Sequence, residues 1–474
     1  MLFNSIEYLF IFIPIVFSTY FFLNKLKFFQ LAKIFLLFAS LYFYGTYKIE
    51  YVLILLCSII FNYFISKLFK FDIDTNKKRF ILIFAIIINI AILIFFKYFY
   101  SLIEILNNLS FYHFNSLQII IPLGISFFTL QQISYIIDCY NKNIKEYNIL
   151  DYALFICFFP QLIAGPIVRH QEMIPQLNKP QNRNINQNNI FIGIFLITCG
   201  LLKKVIFADE FSEFISYVIN NQIYSDFYIS WFLCIAKVLN IYFDFSGYCD
   251  IALGSAALFN ISLPWNFNSP FQTEDIKEFW KKNNMTLIRF LKDYIYRPLE
   301  KTKINIYTNI LLMFSILGLW MGINFTSVIY GLLNGIYVCI NAVWRKFNIK
   351  MPYNVARLIT FISILFSAPF LFEDNIFFLN RIIKSMFGID ATYTKFIIQD
   401  YYLRFMLPPP HNAQISIVIL VLAIITIFFL PNSNILARIY AKKNNTLYTI
   451  LIAFIFLYIV ISMTKTNSFI YFDF

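Results

Sequence analysis

Acid–base catalysis near neutral pH depends most often on histidine, so the histidines are the first residues to consider. The chain has three in 474 residues, His113, His170 and His411. His113 lies in a polar stretch, His170 follows Arg169, and His411 follows three prolines, which predicts surface or loop positions for all of them. The alternative is that His170 acts as a base. The seven cysteines show neither CxxC nor Cys/His metal spacing, so we expect no metal centre.

A second group of polar residues, Asp244, Ser246 and Asp250, lies inside the apolar sequence 241–254. Two carboxylates six residues apart do not share a helical face, so a paired acid and base is not indicated. Instead, we expect a Lys or Arg of a neighbouring segment to pair with these buried carboxylates. Asp244 and Ser246 are also candidate substrate contacts, because polar groups inside a membrane domain usually face a cavity or another helix.

The segment 121–140 carries Gln131, Gln132, Ser134 and Asp138 along one apolar span. A proline and a glycine at its beginning predict a loosened helix start. The near-helical spacing of the polar residues suits interhelical hydrogen bonding that fixes packing. It equally suits contact with a substrate, for which Gln131 is the candidate, and the sequence leaves both interpretations open.

The segment 158–177 begins with an apolar run that is too short to span a membrane, is broken by Pro160, Gly165 and Pro166, and ends at Arg169. This pattern predicts a re-entrant segment, because broken helices are tolerated only where protein or a water-filled cavity covers the freed backbone groups. Arg169 is then a candidate to bind an anionic donor group such as a phosphate or a thioester carrier. The alternative is an anchor for lipid headgroups.

The segment 263–300 is too charged to span a membrane and too periodic to be a loop. Thr273 is predicted to cap a helix that has acidic residues in its first turn. Trp280 and Asn284 then fall on one apolar stripe, together with two leucines further along the helix. We therefore expect Asn284 on the buried face, either as a satisfied amide or as a functional one.

The elements that must position these residues lie in a membrane. Hydrophobic residues make up 60% of the chain and charged residues 13%, which excludes a soluble globular protein of this length. A membrane-spanning helix needs about 20 mostly apolar residues, and this criterion predicts about a dozen passes. The apolar runs are 8–24, 34–47, 51–66, 80–99, 117–137, 190–208, 228–245, 305–320, 324–343, 355–373, 414–430 and 447–463.

Basic residues in the loops predict the orientation. The loops 25–33 and 67–79 hold three and five Lys or Arg residues, whereas 100–116 holds none, so the positive-inside rule makes the N-terminus extracytoplasmic. Short basic loops beside anionic headgroups also account for the net charge of +13. We therefore expect a lipid bilayer, and no nucleic acid, as partner. No long linker divides the chain, which favours a single membrane domain over residues 1–474.

The polar segments described above follow one another in the order and spacing of one known family. Three further strings support this similarity, namely GLLKKVIFAD at 200–209, LPWNFNSPF at 263–271 and FIYFDF at 469–474. Together they resemble the bacterial branch of the membrane-bound O-acyltransferases (MBOAT), which includes alginate O-acetylases, peptidoglycan O-acetylation proteins and the D-alanyl transferases of teichoic acid. The resemblance runs over nearly the whole chain.

The resemblance implies an all-α integral membrane protein in which a ring of about a dozen tilted transmembrane helices, with re-entrant and interfacial helices, surrounds a tunnel. It also implies an acyl donor, either acyl-CoA or an acyl-carrier thioester, that enters from the cytoplasmic face as co-substrate, with no bound cofactor. A polysaccharide acceptor and an extracytoplasmic acetyltransferase partner are expected on the other side of the bacterial cytoplasmic membrane.

Three positions at which the family carries histidine hold other residues here. Met321 stands between Trp320 and Gly322, where the family motif is Trp-His-Gly, and Asn334 stands where many relatives have Leu-His-Gly. Asn284 ends the string FWKKNN, which corresponds to a family Phe-Trp-Arg-Arg-Trp-His motif. A thioether cannot act as a base near neutral pH, whereas an amide can orient a carbonyl by hydrogen bonding. The resemblance assigns the catalytic site to these three positions and makes Trp320 a substrate contact.

These replacements leave several functions open. The intact motifs favour acyl (acetyl) transfer to an extracytoplasmic cell-surface polysaccharide with impaired or altered catalysis. Losing a general base costs a factor of about 10²–10⁴, so positioning alone leaves residual turnover. The joint loss of three histidines favours a noncatalytic MBOAT descendant that binds lipid, an acyl donor or a partner transferase. A conduit for an acyl carrier or small solute is a third function, although no repeated half-chain pattern is visible.

Overall fold

Helices account for all regular structure in the part of the chain that the computed structural model describes. That part comprises residues 1–109, 121–141, 147–220, 227–322, 324–349, 351–372, 376–389, 413–443 and 446–463. Each of the twelve apolar runs overlaps a helix, as expected where the backbone has to satisfy its own hydrogen bonds. The prediction of an all-α membrane protein is confirmed.

Seven helices in the described ranges are long and apolar enough to cross a membrane, or eight if a helix pair bent by 75° counts as one span. Three further apolar helices are shorter, at 10–17 residues. The prediction of about a dozen passes therefore counted some apolar runs whose helices are too short to meet this length criterion. His113, His411 and the string at 469–474 lie outside the described residues.

Two compact units make up the chain. The first comprises Met1–Gly200, Tyr248–Trp265 and Ala437–Phe474, and the second comprises Leu201–Gly247 and Asn266–Leu436. The single domain predicted over residues 1–474 stays a prediction.

The first unit begins with a π-helical segment, Glu7–Phe12. Its helices are α1 (Ile13–Lys25), α2 (Phe29–Gly45), α3 (Ile49–Leu68), α4 (Thr75–Leu109), α5 (Ile125–Tyr140), α6 (Ile149–Cys157), α7 (Phe159–Leu162), α8 (His170–Asn178) and α9 (Gln187–Leu202), of which α9 ends in the second unit.

The second unit begins with a π-helical segment, Lys203–Ala208. Its helices are α10 (Asp209–Asn220), α11 (Phe227–Leu258), whose last residues belong to the first unit, α12 (Ile276–Lys282), α13 (Met285–Leu291), α14 (Arg297–Glu300), α15 (Ile306–Met321), α16 (Phe325–Lys346), α17 (Tyr353–Ser367), α18 (Ile376–Met386) and α19 (Ala413–Phe429). The last two helices, α20 (Ser433–Lys443) and α21 (Thr446–Ser462), lie mainly in the first unit.

The broken segment predicted at 158–177 is present in the first unit. It consists of the single turn α7, an irregular stretch and all but the last residue of α8. All residues from Phe158 to Val168 are buried, so the protein covers the backbone groups that the break leaves outside a helix.

The side chain of Gln132 forms hydrogen bonds between helices. Its Oε1 accepts from Asn62 Nδ2, and its Nε2 donates to Ser58 Oγ across 3.1 Å. Asn62 in turn exchanges hydrogen bonds with Asn89, so α3, α4 and α5 share one buried polar network. This supports the packing interpretation of the segment 121–140, because amide pairs fix the register of helices in an apolar environment.

The closest helix pair of the second unit is α15 with α16. A Cβ built on Gly331 would lie 2.3 Å from the carbonyl oxygen of Phe314, and one on Gly318 would lie 2.5 Å from that of Ser327. Only residues without a side chain permit two helix backbones to approach so closely. The glycines therefore set the distance between the helix that ends at Met321 and the helix that carries Asn334.

Candidate active site

Asn284 lies in a break between α12 and α13. Asp275 caps α12, because its Oδ1 accepts from the Glu278 N–H across 2.9 Å. The helix ends at Lys282, and Asn284 adopts φ 47° and ψ 51°, the left-handed conformation that asparagine tolerates better than most residues. The prediction of a continuous helix capped by Thr273 is therefore wrong, since the left-handed residue interrupts the hydrogen-bond ladder.

The side chain of Asn284 is buried, as predicted, although the helical stripe that suggested it is interrupted. Its exposed fraction is 8%, and its Oδ1 has no hydrogen-bond partner among the described residues. Leaving a buried acceptor unpaired costs about 1–3 kcal/mol. Such atoms are rare in folded proteins, and a functional role is one reason for retaining them. The amide oxygen can accept a hydrogen bond from a ligand hydroxyl or N–H group.

Asn266 holds the break in place. Its carbonyl oxygen accepts from the Met285 N–H across 2.8 Å, and its Oδ1 accepts from both the N–H and the Oγ of Thr286. On the other side of the break, the Asn268 N–H donates to the carbonyl of Lys282. The string LPWNFNSPF therefore clamps the residues before and after Asn284, which fixes the direction of the amide.

Ser246 provides a second unpaired polar atom in the same unit. The residue is 1% exposed, and its Oγ has no hydrogen-bond partner among the described residues. The neighbouring ring of Phe245 meets that of Phe267 edge-on, with centroids 5.1 Å apart. Ser246 is thus next to a residue that contacts the clamp around Asn284.

Both polar atoms of the Asn334 side chain are hydrogen-bonded within the protein. Its Nδ2 donates to the carbonyl of Tyr330 across 2.8 Å, and its Oδ1 accepts from Trp280 Nε1 across 3.3 Å. The indole ring of Trp280 also meets the ring of Phe314 edge-on at 5.4 Å. Asn334 therefore anchors α12 to α16, which is a structural role.

Met321 is the last residue of α15 and is half-buried. The next residue, Gly322, is extended, and its N–H closes the helix on the carbonyl of Gly318. Trp320 is buried beside it, at 7% exposure. The thioether of Met321 is a weak acceptor with no proton to exchange, so this position fills space without acid–base capacity.

Asp244 forms a buried ion pair with Lys204. The Lys204 Nζ lies 2.7 Å from the Oδ1 of Asp244 and 3.0 Å from that of Asp209. Lys204 belongs to the π-helical segment, a distortion that is frequent at functional sites. The prediction that a neighbouring basic segment pairs with Asp244 is confirmed, and the substrate contact predicted for Asp244 stays a prediction.

Two predicted site residues, Gln131 and Arg169, belong to the first unit. Gln131 is 2% exposed within α5. Arg169 is half-buried just before α8, and its N–H donates to Glu172 Oε2 across 3.1 Å. Their predicted substrate contacts stay predictions.

The prediction that His170 is a surface or loop residue is wrong. It is the first residue of α8 and is fully buried. Its Nε2 lies 3.2 Å from Asp138 Oδ2, and its Nδ1 lies 3.4 Å from the Tyr147 hydroxyl. Both partners come from other elements, so the residues around His170 in the sequence gave no sign of its burial.

The three positions that the sequence predicts to match family histidines belong to one group of packed elements in the second unit. Asn284 joins α12 to α13, Trp280 of α12 bonds Asn334 of α16, and α16 packs against the helix that ends at Met321. The sequence did not reveal Asn266 as a clamping residue. The sequence feature that could have indicated it is the group of polar residues, Asn266, Asn268 and Ser269, among the apolar and aromatic residues of the string at 263–271.

Comparison with known proteins supports a family assignment. The model of the membrane-bound O-acyltransferase family matches residues 138–370. The chain is 38% identical over 424 residues to the peptidoglycan O-acetyltransferase of Helicobacter pylori, which covers 82% of this chain and 80% of that protein. It is 30% identical over 403 residues to the probable alginate O-acetylase AlgI of Pseudomonas aeruginosa, covering 82% and 75%. A teichoic acid D-alanyltransferase of Streptococcus thermophilus is 27% identical over 238 residues, 47% of this chain and 57% of that protein.

Proposed function

The chain belongs to the membrane-bound O-acyltransferase family, and from this premise we propose that it transfers an acetyl-like group to a hydroxyl of an extracytoplasmic cell-surface polysaccharide. Proteins of this family use an acyl donor as co-substrate. We take the donor to be acyl-CoA or an acyl-carrier thioester from the cytoplasmic side. The acceptor, and an acetyltransferase partner that receives or passes on the acyl group, lie on the side of the N-terminus.

The unpaired Oδ1 of Asn284 is the observation that carries the proposal. In the reaction, a hydroxyl oxygen bonds to the thioester carbonyl carbon, the C–S bond breaks, and the hydroxyl proton goes to the departing thiolate. An amide oxygen accepts a hydrogen bond from the attacking hydroxyl and so directs its lone pair at the carbonyl, but it does not remove the proton. Positioning of this kind lowers the barrier without a base.

The loss of the family histidines limits the rate. A general base typically contributes a factor of about 10²–10⁴, so we expect turnover below that of histidine-containing relatives by a factor in this range. Arg169 of the first unit stays a separate candidate for binding a phosphate or a thioester carrier, because a guanidinium suits both.

A noncatalytic descendant that binds lipid, donor or a partner transferase is the second candidate. Two observations favour it. Both polar atoms of the Asn334 amide have partners within the protein, and Met321 offers a thioether where a base is required. On this alternative, the unpaired oxygen of Asn284 would bind a ligand without chemistry.

The deciding experiment measures acetyl transfer by membranes that contain the full chain, with labelled acetyl donors and the envelope polysaccharide of its source. Asn284→Gly removes the amide and keeps the left-handed backbone, because glycine adopts that conformation freely. Asn348→Gly is the matched control, since Asn348 also has a positive φ, of 52°, but is exposed.

We expect the rate of acetyl transfer by Asn284→Gly to be about tenfold below that of the wild type, which corresponds to the loss of one hydrogen bond. The rate of Asn348→Gly should equal that of the wild type. Equal transfer in wild type and Asn284→Gly would exclude the role of the amide. If the wild type transfers no acetyl group in an assay where a histidine-containing relative is active, the result would support the noncatalytic function.

A further inference from the structure

The helix pair α15 and α16 of the second unit carries a groove of about 350 Å³ that the proposed reaction does not use. Tyr307 and Leu311 of α15 form one wall, and six residues of α16 between positions 336 and 347 form the rest. The volume is at the lower end of the range for small-molecule sites. The groove therefore has room for one slender ligand group.

The part of α16 that lines the groove faces the membrane interior. Ile336, Ile340, Val343 and Phe347 are exposed and follow one another with the spacing of one helical face. Because α16 is long and apolar enough to cross a membrane, we expect lipid chains beside this face. The concave shape distinguishes it from an ordinary lipid-exposed helix face.

Polar atoms inside the groove are already used by the protein. The Cys339 thiol contacts the carbonyl of Tyr307 across 3.7 Å, and the Trp344 Nε1 donates to the carbonyl of Ile349 across 3.3 Å. Both residues otherwise present apolar surface. The interior of the groove therefore suits an apolar chain that requires no hydrogen bonds.

The groove has a polar end where α15 begins and α16 ends. The Lys346 ammonium lies over the ring of Tyr307, 5.4 Å from its centroid. Lys346 is exposed and has no acidic partner among the described residues, whereas Arg345 is paired with Asp275 across 2.5 Å. The Tyr307 hydroxyl has no hydrogen-bond partner in the described ranges either, so its proton is available to a ligand.

Basic residues predict that this end is cytoplasmic. The chain around the start of α15 and the end of α16, residues 297–305 and 345–352, has six basic residues and one acidic residue. The connection at the other end of the pair, residues 322–324, has no charged residue. The positive-inside rule therefore places Lys346 at the cytoplasmic leaflet, whose anionic lipids attract basic segments.

We propose that the groove binds an anionic phospholipid of the cytoplasmic leaflet, with one acyl chain along α16 and the phosphate at Lys346 and Tyr307. The ammonium group supplies the opposite charge, and the tyrosine hydroxyl donates a hydrogen bond to a phosphate oxygen.

Charge favours this ligand over two other occupants. A zwitterionic lipid brings a cation together with its phosphate, so it gains less at Lys346. A second copy of the chain, related by a two-fold axis along the membrane normal, would bring its own Lys346 to the same membrane surface and add repulsion. Only an anionic lipid fills the apolar groove and compensates the cation at its end.

Native mass spectrometry of the full chain in detergent tests the proposal, with phosphatidylglycerol and phosphatidylcholine of identical acyl chains as probes. We expect preferential binding of phosphatidylglycerol and an affinity for it about fivefold lower in Lys346→Gln. Lys301→Gln is the matched control, because Lys301 is an exposed cation at the same end of the helix pair, and should change the affinity less. Tyr307→Phe keeps the ring under the ammonium and should give a smaller loss than Lys346→Gln.

The acyl-chain contact is tested separately. Ile340→Ser should lower the affinity for both lipids, because it places a hydroxyl in the apolar groove. Leu312→Ser is the control, since Leu312 is exposed on α15 but does not line the groove, and should leave both affinities unchanged.

Equal affinities of the wild type for the two lipids would overturn the proposal, as would equal losses in Lys346→Gln and Lys301→Gln. The same spectra report the mass of any dimer. A lipid-free dimer that dissociates in Ile340→Ser would show that the groove is an interface between two copies of the chain, and the lipid assignment would be wrong.

Discussion

The indole Nε1 of Trp280 donates a hydrogen bond to the Oδ1 of Asn334, 3.3 Å away, and both residues are buried. The position that the sequence predicts to match a family histidine thus holds two helices together here. Asn284, at another family-histidine position, keeps its amide oxygen unpaired. The two asparagines therefore differ in what they can do, and substitutions should separate their roles.

Asn334→Leu should destabilise the protein by about 1–3 kcal/mol, because it leaves the buried Trp280 N–H without its acceptor. Unfolding induced by heat or denaturant in detergent measures this change in stability. Asn341→Leu is the matched control on the same helix, since the Oδ1 of Asn341 has no partner among the described residues. Equal destabilisation by the two substitutions would show that the Trp280 hydrogen bond contributes nothing.

Met321→His should raise acetyl transfer by up to a factor of about 10²–10⁴, because it restores a base at the end of α15. The neutral imidazole accepts the proton, so the added rate should rise with pH around the ordinary histidine pKa of about 6.5. The rate–pH profile measures this. Met321→Gln, of similar size without a titrating group, should leave rate and profile unchanged. A profile of Met321→His that matches that of Met321→Gln would contradict the prediction.

Lys204→Met should destabilise the second unit by about 3–5 kcal/mol, because the buried carboxylate of Asp244 and the half-buried carboxylate of Asp209 lose a cation that they share. Lys203→Met is the control at the neighbouring position, where the Nζ donates to Ser433 Oγ across 3.3 Å, and should cost less. Thermal unfolding of the two variants gives the comparison. The ion-pair argument fails if Lys203→Met is the more harmful substitution.

Gly331→Ala should destabilise the α15–α16 pair, because the added methyl would lie 2.3 Å from the Phe314 carbonyl oxygen and the helices would have to separate. Overpacking of this kind costs about 1–3 kcal/mol. Gly45→Ala is the control, since its methyl would meet only side-chain ends, at 3.2 and 3.3 Å. Unfolding measurements in detergent check the difference, and similar stabilities of the two variants would argue against close helix packing at Gly331.

Local sequence was sufficient to predict the helices and some of their contacts. Each apolar run marked a helix, although seven or eight helices of the described ranges are long and apolar enough to cross a membrane, and the partner expected for Asp244 proved to be Lys204 in the basic string at 200–209. The helix expected after Thr273 was misjudged, because a single left-handed residue at Asn284 divides it. Propensity and periodicity favour a continuous helix there, and only the clamp from Asn266 makes the break stable.

Composition, hydrophobic periodicity and motif order by themselves determined that this is an all-helical membrane protein and predicted which residues stand at family-histidine positions, because these properties depend on residues close together in the chain. Tertiary structure alone decided which replacement has a free polar atom. It paired Asn334 with a tryptophan 54 residues earlier, left the Asn284 oxygen without a partner among the described residues, and buried His170 between Asp138 and Tyr147. Hydrogen-bond partners and burial come from segments that meet only in the folded chain.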